Sequence, residues 1–117
     1  MFIKEGEEEL SGKLNQLTDI TFECEVLNSD LPVVVDFWAD WCQPCLRLAD
    51  VLEEVSLEYL TRAKFYGMNV DENQKVPIEY IVKSVPTLLF FKDGQVVECL
   101  VGNQTKDKVR SVLNKLL

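Results

Sequence analysis

The sequence predicts an α/β domain with a central mixed, mostly parallel sheet of about five strands and helices on both faces. Three observations carry that prediction. Strand-like and helix-like segments alternate along most of the chain, which favours parallel strands joined by crossover helices. From Pro32 to Trp38 the chain reads Pro-Val-Val-Val-Asp-Phe-Trp, an apolar run without two-residue alternation. That is the pattern of a central strand covered on both faces. Near the end, Asp93-Gly94 separates two strand-like runs and marks an antiparallel hairpin.

The elements follow in order. Residues 1–12 are acidic, Gly-punctuated and weakly patterned, and are expected to form a flexible extension with Phe2 and Ile3 as anchors. The folded domain is expected to span 13–117. Leu14 to Leu17 alternates and suits a short edge strand. Thr18 and Asp19 are N-cap types, followed at helical spacing by Phe22, Val26 and Leu27, and Asn28 to Asp30 ends that helix. After the central strand a helix begins at the cysteines. Its apolar face is Cys45, Leu48, Ala49, Leu52, Val55, Ser56 and Tyr59; Arg47, Asp50, Glu53, Glu54 and Glu58 face outward. Lys64 to Val70 is the next strand, and Asp71 to Asn73 opens a short helix with Pro77 in its first turn. Thr87 to Phe91 and Val96 to Val101 flank the hairpin turn, and Gly102 ends the second of them. Thr105 caps a last helix with Val109, Val112, Leu113 and Leu116 on one stripe.

At 117 residues and 47% hydrophobic content, the chain fits one domain with a real core. Its 12 basic and 20 acidic residues give a net charge of −8, without a Lys/Arg cluster. Nucleic acid and anionic membrane surfaces are therefore poor partners. There is no histidine, which removes Cys–His and Ser–His–Asp catalysis and the commonest zinc ligand. The amino-terminal residues lack the cationic start and apolar core of a signal peptide, and no apolar run approaches a membrane span. A cytoplasmic monomer is expected. Of the four cysteines, Cys24 and Cys99 are singletons expected to be small, inert side chains.

Cys42 and Cys45 carry the chemistry. Two sulfurs three positions apart at a helix start lie on the same side and can close into a small ring. Unpaired N–H groups and the helix dipole stabilise a thiolate on Cys42, the attacking species in disulfide exchange. Cys45, one turn inside, stays a thiol until it resolves the mixed disulfide. Pro44 suits the first turn because its missing N–H has no partner there anyway. Asp36 lies within the apolar strand. Its ionisation is costly, so its pKa should rise into the range suited to taking the Cys45 proton. The alternative is a solvated strand-end aspartate. For the cysteine pair the alternative is half a zinc site, which lacks its other two ligands because histidine is absent and Cys24 and Cys99 stand far apart. No metal is expected.

These residues resemble the thioredoxin family. The matching segments are 35–45 (Val-Asp-Phe-Trp-Ala-Asp-Trp-Cys-Gln-Pro-Cys), Asn69 to Asp71, Val85 to Leu88, Phe91 to Gly94, and Val101-Gly102. The likeness covers about residue 14 to the end, with the elements in the same order. The resemblance implies a thioredoxin fold and a protein-disulfide reductase in which Cys42 attacks, Cys45 resolves and Asp36 is the buried acid. It implies a cis bond before Pro86 and a substrate groove lined by Trp41, Gln43, Pro44, Val85, Pro86 and Gly102. An extended substrate would pair with the Val85 backbone. The implied cofactor is none beyond the redox-active disulfide Cys42–Cys45. The implied partners are disulfide-containing proteins and a thioredoxin reductase or similar electron donor.

Four positions depart from the family pattern. Gln43 stands where glycine is usual, Leu46 where lysine is usual, Asp50 where a helix-kinking proline is usual, and Gly67 where a lysine commonly faces the buried aspartate. All four surround the dithiol, so its redox potential is open. They motivate a second reading, a specialised relative with one dedicated partner. A third reading, of another class, is a binding or chaperone-like subunit that uses the groove without the thiols.

Overall fold

Five strands form the sheet: β1 (Asn15–Gln16), β2 (Val33–Trp38), β3 (Lys64–Asn69), β4 (Thr87–Lys92) and β5 (Gln95–Val101). The structure, a computed structural model, describes residues 14–117; the expected amino-terminal extension lies outside them. The strand order is β1-β3-β2-β4-β5. β1 and β2 both run parallel to β3, β4 runs against β2, and β5 runs against β4. β4 alone is therefore reversed. The Asp93-Gly94 turn joins β4 to β5 with φ of 52° and 78° at its two residues. Glycine meets that left-handed demand at no steric cost.

The helices are α1 (Glu23–Leu27), α2 (Gln43–Ser56), α3 (Lys75–Glu79) and α4 (Lys106–Leu116). α1 is a single wide turn, in which Asn28 N–H donates to the carbonyl of Glu23 five residues back. Thr18 Oγ1 accepts from Thr21 N–H ahead of it. Asp19, expected to cap the same helix, reaches α3 instead: its two carboxylate oxygens accept from Lys75 and Val76 N–H, at 3.1 and 2.9 Å. Asn73 completes the clasp by accepting from Asp19 N–H. The helix expected to open at Asp71 to Asn73 does not start there: Asp71 and Glu72 form a turn, and α3 begins only at Lys75. Three backbone donors that the sequence leaves unpaired thus find side-chain acceptors across the fold.

Both faces of β2 are buried, as its unbroken apolar run requires. Val34 joins a core with Leu48, Leu52 and Val55 of α2 and Val109, Val112 and Leu113 of α4. Val33, Val35 and Phe37 face the other way, into a core with Phe22, Val26, Val76 and Phe91. Arg110 of α4 grips Glu58, just beyond α2, through two hydrogen bonds of 2.8 and 2.7 Å, and Lys106 pairs with Glu54. α2 is therefore clamped from below by apolar packing and along its outer edge by charge. That fixes the position of its amino terminus, where the cysteines are.

Candidate active site

The strand β2 delivers the chain to Ala39 and the turn before α2, and Cys42 becomes the N-cap of that helix. Its backbone is extended and its Sγ accepts from Cys45 N–H at 3.2 Å. A sulfur thus holds one of the helix's unpaired donors, at the positive end of the dipole. Pro44 occupies the first turn as expected. Cys42 and Cys45 are joined as a disulfide with their Cα atoms 5.3 Å apart, inside the usual range for such bonds. Both are nearly covered, at 4% and 3% exposed. Exposure does not distinguish the two; helix position does, with Cys42 at the cap and Cys45 a turn inside.

Pairing along the sheet decides what lies under the disulfide. One cross-strand row runs Gln16, Gly67, Asp36, Leu88 and Leu100. Asp36 shares the face of Val34, on the side of α2. It is 2% exposed, and Oδ1 accepts no hydrogen bond from the described residues. Burial pushes its carboxyl up from the ordinary 3.8 to about 7. The alternative of a solvated strand-end aspartate is thereby excluded. Asp36 and Cys45 line the same cavity.

Gly67 sits beside Asp36 in the neighbouring strand, and a Cβ there would lie 2.6 Å from Gln16 Nε2. The Gln16 amide uses that space to accept from Trp38 Nε1 at 2.9 Å and to donate to the Leu14 carbonyl. Gln16 carried no signal in the sequence, because Trp38, whose indole it accepts from, lies on another strand. Asp71 was also not singled out as a site residue. Its Oδ2 accepts from the indole N–H of Trp41 at 3.0 Å and orients a ring that is 69% exposed.

Of the remaining residues expected in a groove, contacts bring Val85, Pro86 and Gly102 together beside the disulfide. Val85 packs against a small cluster of Ala39, Cys42 and Cys45. The Val85–Pro86 peptide bond is cis. Gly102 N–H donates to the Pro86 carbonyl at 2.9 Å, which ties the end of β5 to the loop facing the disulfide. Gly102 has a φ of 87°, a conformation that favours glycine. Gln43 and Pro44 are exposed on the first turn of α2. Of the four departures, Leu46 is 61% exposed beside the disulfide, and α2 runs without a break through Asp50. Cys24 and Cys99 are exposed free thiols. Among the described residues no His, Cys, Asp and Glu cluster is arranged to hold a metal, and no helix is long and apolar enough to cross a membrane.

Comparison with known proteins agrees with this geometry. The family model described as Thioredoxin matches residues 13–115. A protein named Thioredoxin from Rickettsia typhi is 47% identical over 102 residues, covering 87% of this chain and 97% of the relative. Thioredoxin 1 from Nostoc sp. is 46% identical over 87% of this chain and 95% of its own length. Thioredoxin from Porphyra purpurea is 41% identical over 89% of this chain and 97% of its own.

Proposed function

The chain belongs to the thioredoxin family and is a thiol–disulfide oxidoreductase, and from that premise we propose how its residues divide the reaction. Cys42, as thiolate at the helix N-cap, attacks one sulfur of a substrate disulfide. A bond forms between Cys42 Sγ and that sulfur, and the other substrate sulfur leaves as thiolate and takes a proton from solvent. Cys45 then gives its proton to Asp36 and attacks Cys42 Sγ. The second substrate thiolate leaves and takes a proton from solvent, Asp36 releases to solvent the proton it took from Cys45, and Cys42–Cys45 remains as the disulfide. The substrate gains two electrons and two protons, and the protein dithiol loses them.

Asp36 suits this step because its carboxyl, near neutrality and sharing a cavity with Cys45, exchanges a proton at working pH. Trp41, Gln43, Pro44, Val85, Pro86 and Gly102 bind the substrate as an extended segment across the disulfide. The dithiol is its own redox centre, with no further cofactor. A thioredoxin reductase or similar donor recharges it, and the protein works as a monomer in the cytoplasm on disulfide-containing proteins.

The observation that carries this reading is the closed Cys42–Cys45 bond at a helix N-cap above Asp36, which a thiol-independent binding role leaves unused. The test is reduction of insulin disulfides. Cys42→Ser is expected to abolish turnover, and Cys45→Ser to accumulate a mixed disulfide with substrate on Cys42. Turnover by the Cys42→Ser protein at the unmodified rate would refute the assignment.

A further inference from the structure

A cavity of about 300 Å³ opens beside the disulfide, between the sheet and the first turn of α2. Asp36, Trp38 and Gly67 line it from the sheet, and Cys45 and Leu46 from the helix. Its size falls at the small end of ligand pockets. Gly67 contributes no side chain, and the space directly over it is taken by the Gln16 amide, which also lines the cavity. The charged side chains among its described lining residues are all carboxylates: Asp36, Asp40 and Asp50. At its base Asp36 is almost wholly buried, with Oδ1 lacking a hydrogen-bond donor among the described residues.

A carboxylate in such a place gains most from a positive charge brought close, because the surroundings screen poorly. The walls restrict which cation fits. No set of three or more ligating side chains among the described residues is placed for a metal. Leu46 and the indole of Trp38 instead offer apolar and aromatic surface, which suits a cation carried on a short hydrocarbon stem. We propose that this cavity is a binding site for a small primary alkylammonium ion, its charge paired with the Asp36 carboxylate and its stem packed on Leu46 and Trp38.

Occupancy regulates the dithiol. A bound cation favours ionised Asp36, so the occupied protein has its proton acceptor for Cys45 ready at a lower pH. This consequence rests on the proton role proposed for Asp36; the binding site stands on the cavity alone.

The test uses the oxidised full chain and n-butylammonium chloride, followed by amide NMR, with sodium chloride and n-butanol as matched controls. Saturable shifts at Gln16, Leu46 and Gly67 and at the Trp38 indole are expected with butylammonium only. Apparent affinity should fall at least about ten-fold between about pH 8 and pH 5, as Asp36 takes up a proton. Asp36→Asn should abolish saturation, and Asp40→Asn should retain it. An equal response to butanol would overturn the proposal, as would saturation that persists in Asp36→Asn or ignores pH in the unmodified chain. The pH series decides the matter even if Asp36→Asn does not fold. Because binding is read without turnover, normal insulin reduction with no amine binding refutes this site alone. Loss of dithiol-dependent turnover with binding intact refutes the proposed function alone.

Discussion

Asp36 costs the fold stability, and the sign follows from its pKa. Below the unfolded value of 3.8, native and unfolded chains both hold the proton and no penalty applies. Between 3.8 and about 7 the unfolded chain has lost it while the native chain keeps it, so this group's contribution falls as pH rises. Above about 7 the penalty is complete. At about 1.4 kcal/mol per pH unit it amounts to on the order of 4 kcal/mol. Asp36→Asn is therefore expected to be more stable than the unmodified oxidised chain near pH 8, with the gap narrowing by about that amount toward pH 4. Urea unfolding of both proteins across this range measures it. A gap that does not change with pH would show that Asp36 is ionised in the native protein throughout. That a buried acid is retained at such expense agrees with its place beside Cys45.

Among the elements, α2 matters most, because its amino terminus holds the disulfide. Leu52 is fully buried in its packed face, whereas Thr105 merely caps α4 by accepting from Lys108 N–H. Leu52→Ala should cost about 2–5 kcal/mol, through lost burial and a cavity. Thr105→Ala should cost about 1 kcal/mol, the worth of one cap. Urea midpoints of the two variants compare them directly; equal losses would mean that α2 is held by something other than its apolar face. The clasp of Asp19 and Asn73 illustrates a different kind of stabilisation. Thr18 and Asp19 both read as caps for the helix that follows, but Thr18 holds only the turn ahead of α1, by accepting from Thr21 N–H, and Asp19 serves α3. A cap signal identifies the residue type that can accept backbone donors, and proximity in the fold decides whose donors those are.

For the whole molecule, charge is the least balanced quantity. A net charge of −8 on 117 residues means that the compact state repels itself, despite the ion pairs linking the α2 and α4 segments. Raising ionic strength from about 0.01 to 0.15 M shortens the screening length from about 30 to 8 Å. The urea midpoint should therefore rise with sodium chloride at neutral pH. A fall would mean that the local pairs outweigh the general repulsion.

The sequence by itself determined much of this protein. The unbroken run from Val33 to Trp38, the apolar stripes of α2 and α4 and the Asp93-Gly94 turn are local patterns, and each formed the element it signals. The cysteine pair at a helix start was equally legible, because its chemistry depends on residues three apart on one element. Tertiary structure alone decided the rest. The place of β4 beside β2 depends on which edge of β2 is free once β3 has paired with the other. Cys42 proved nearly as covered as Cys45, since the loop holding Val85 closes over both. The juxtaposition of Gln16, Gly67 and Asp36 arises from register between strands distant in sequence, and it creates the cavity under the disulfide. Local pattern fixes what a segment can become, because its causes lie within a few residues. The surroundings of a buried carboxylate are set by every strand and helix that reaches it.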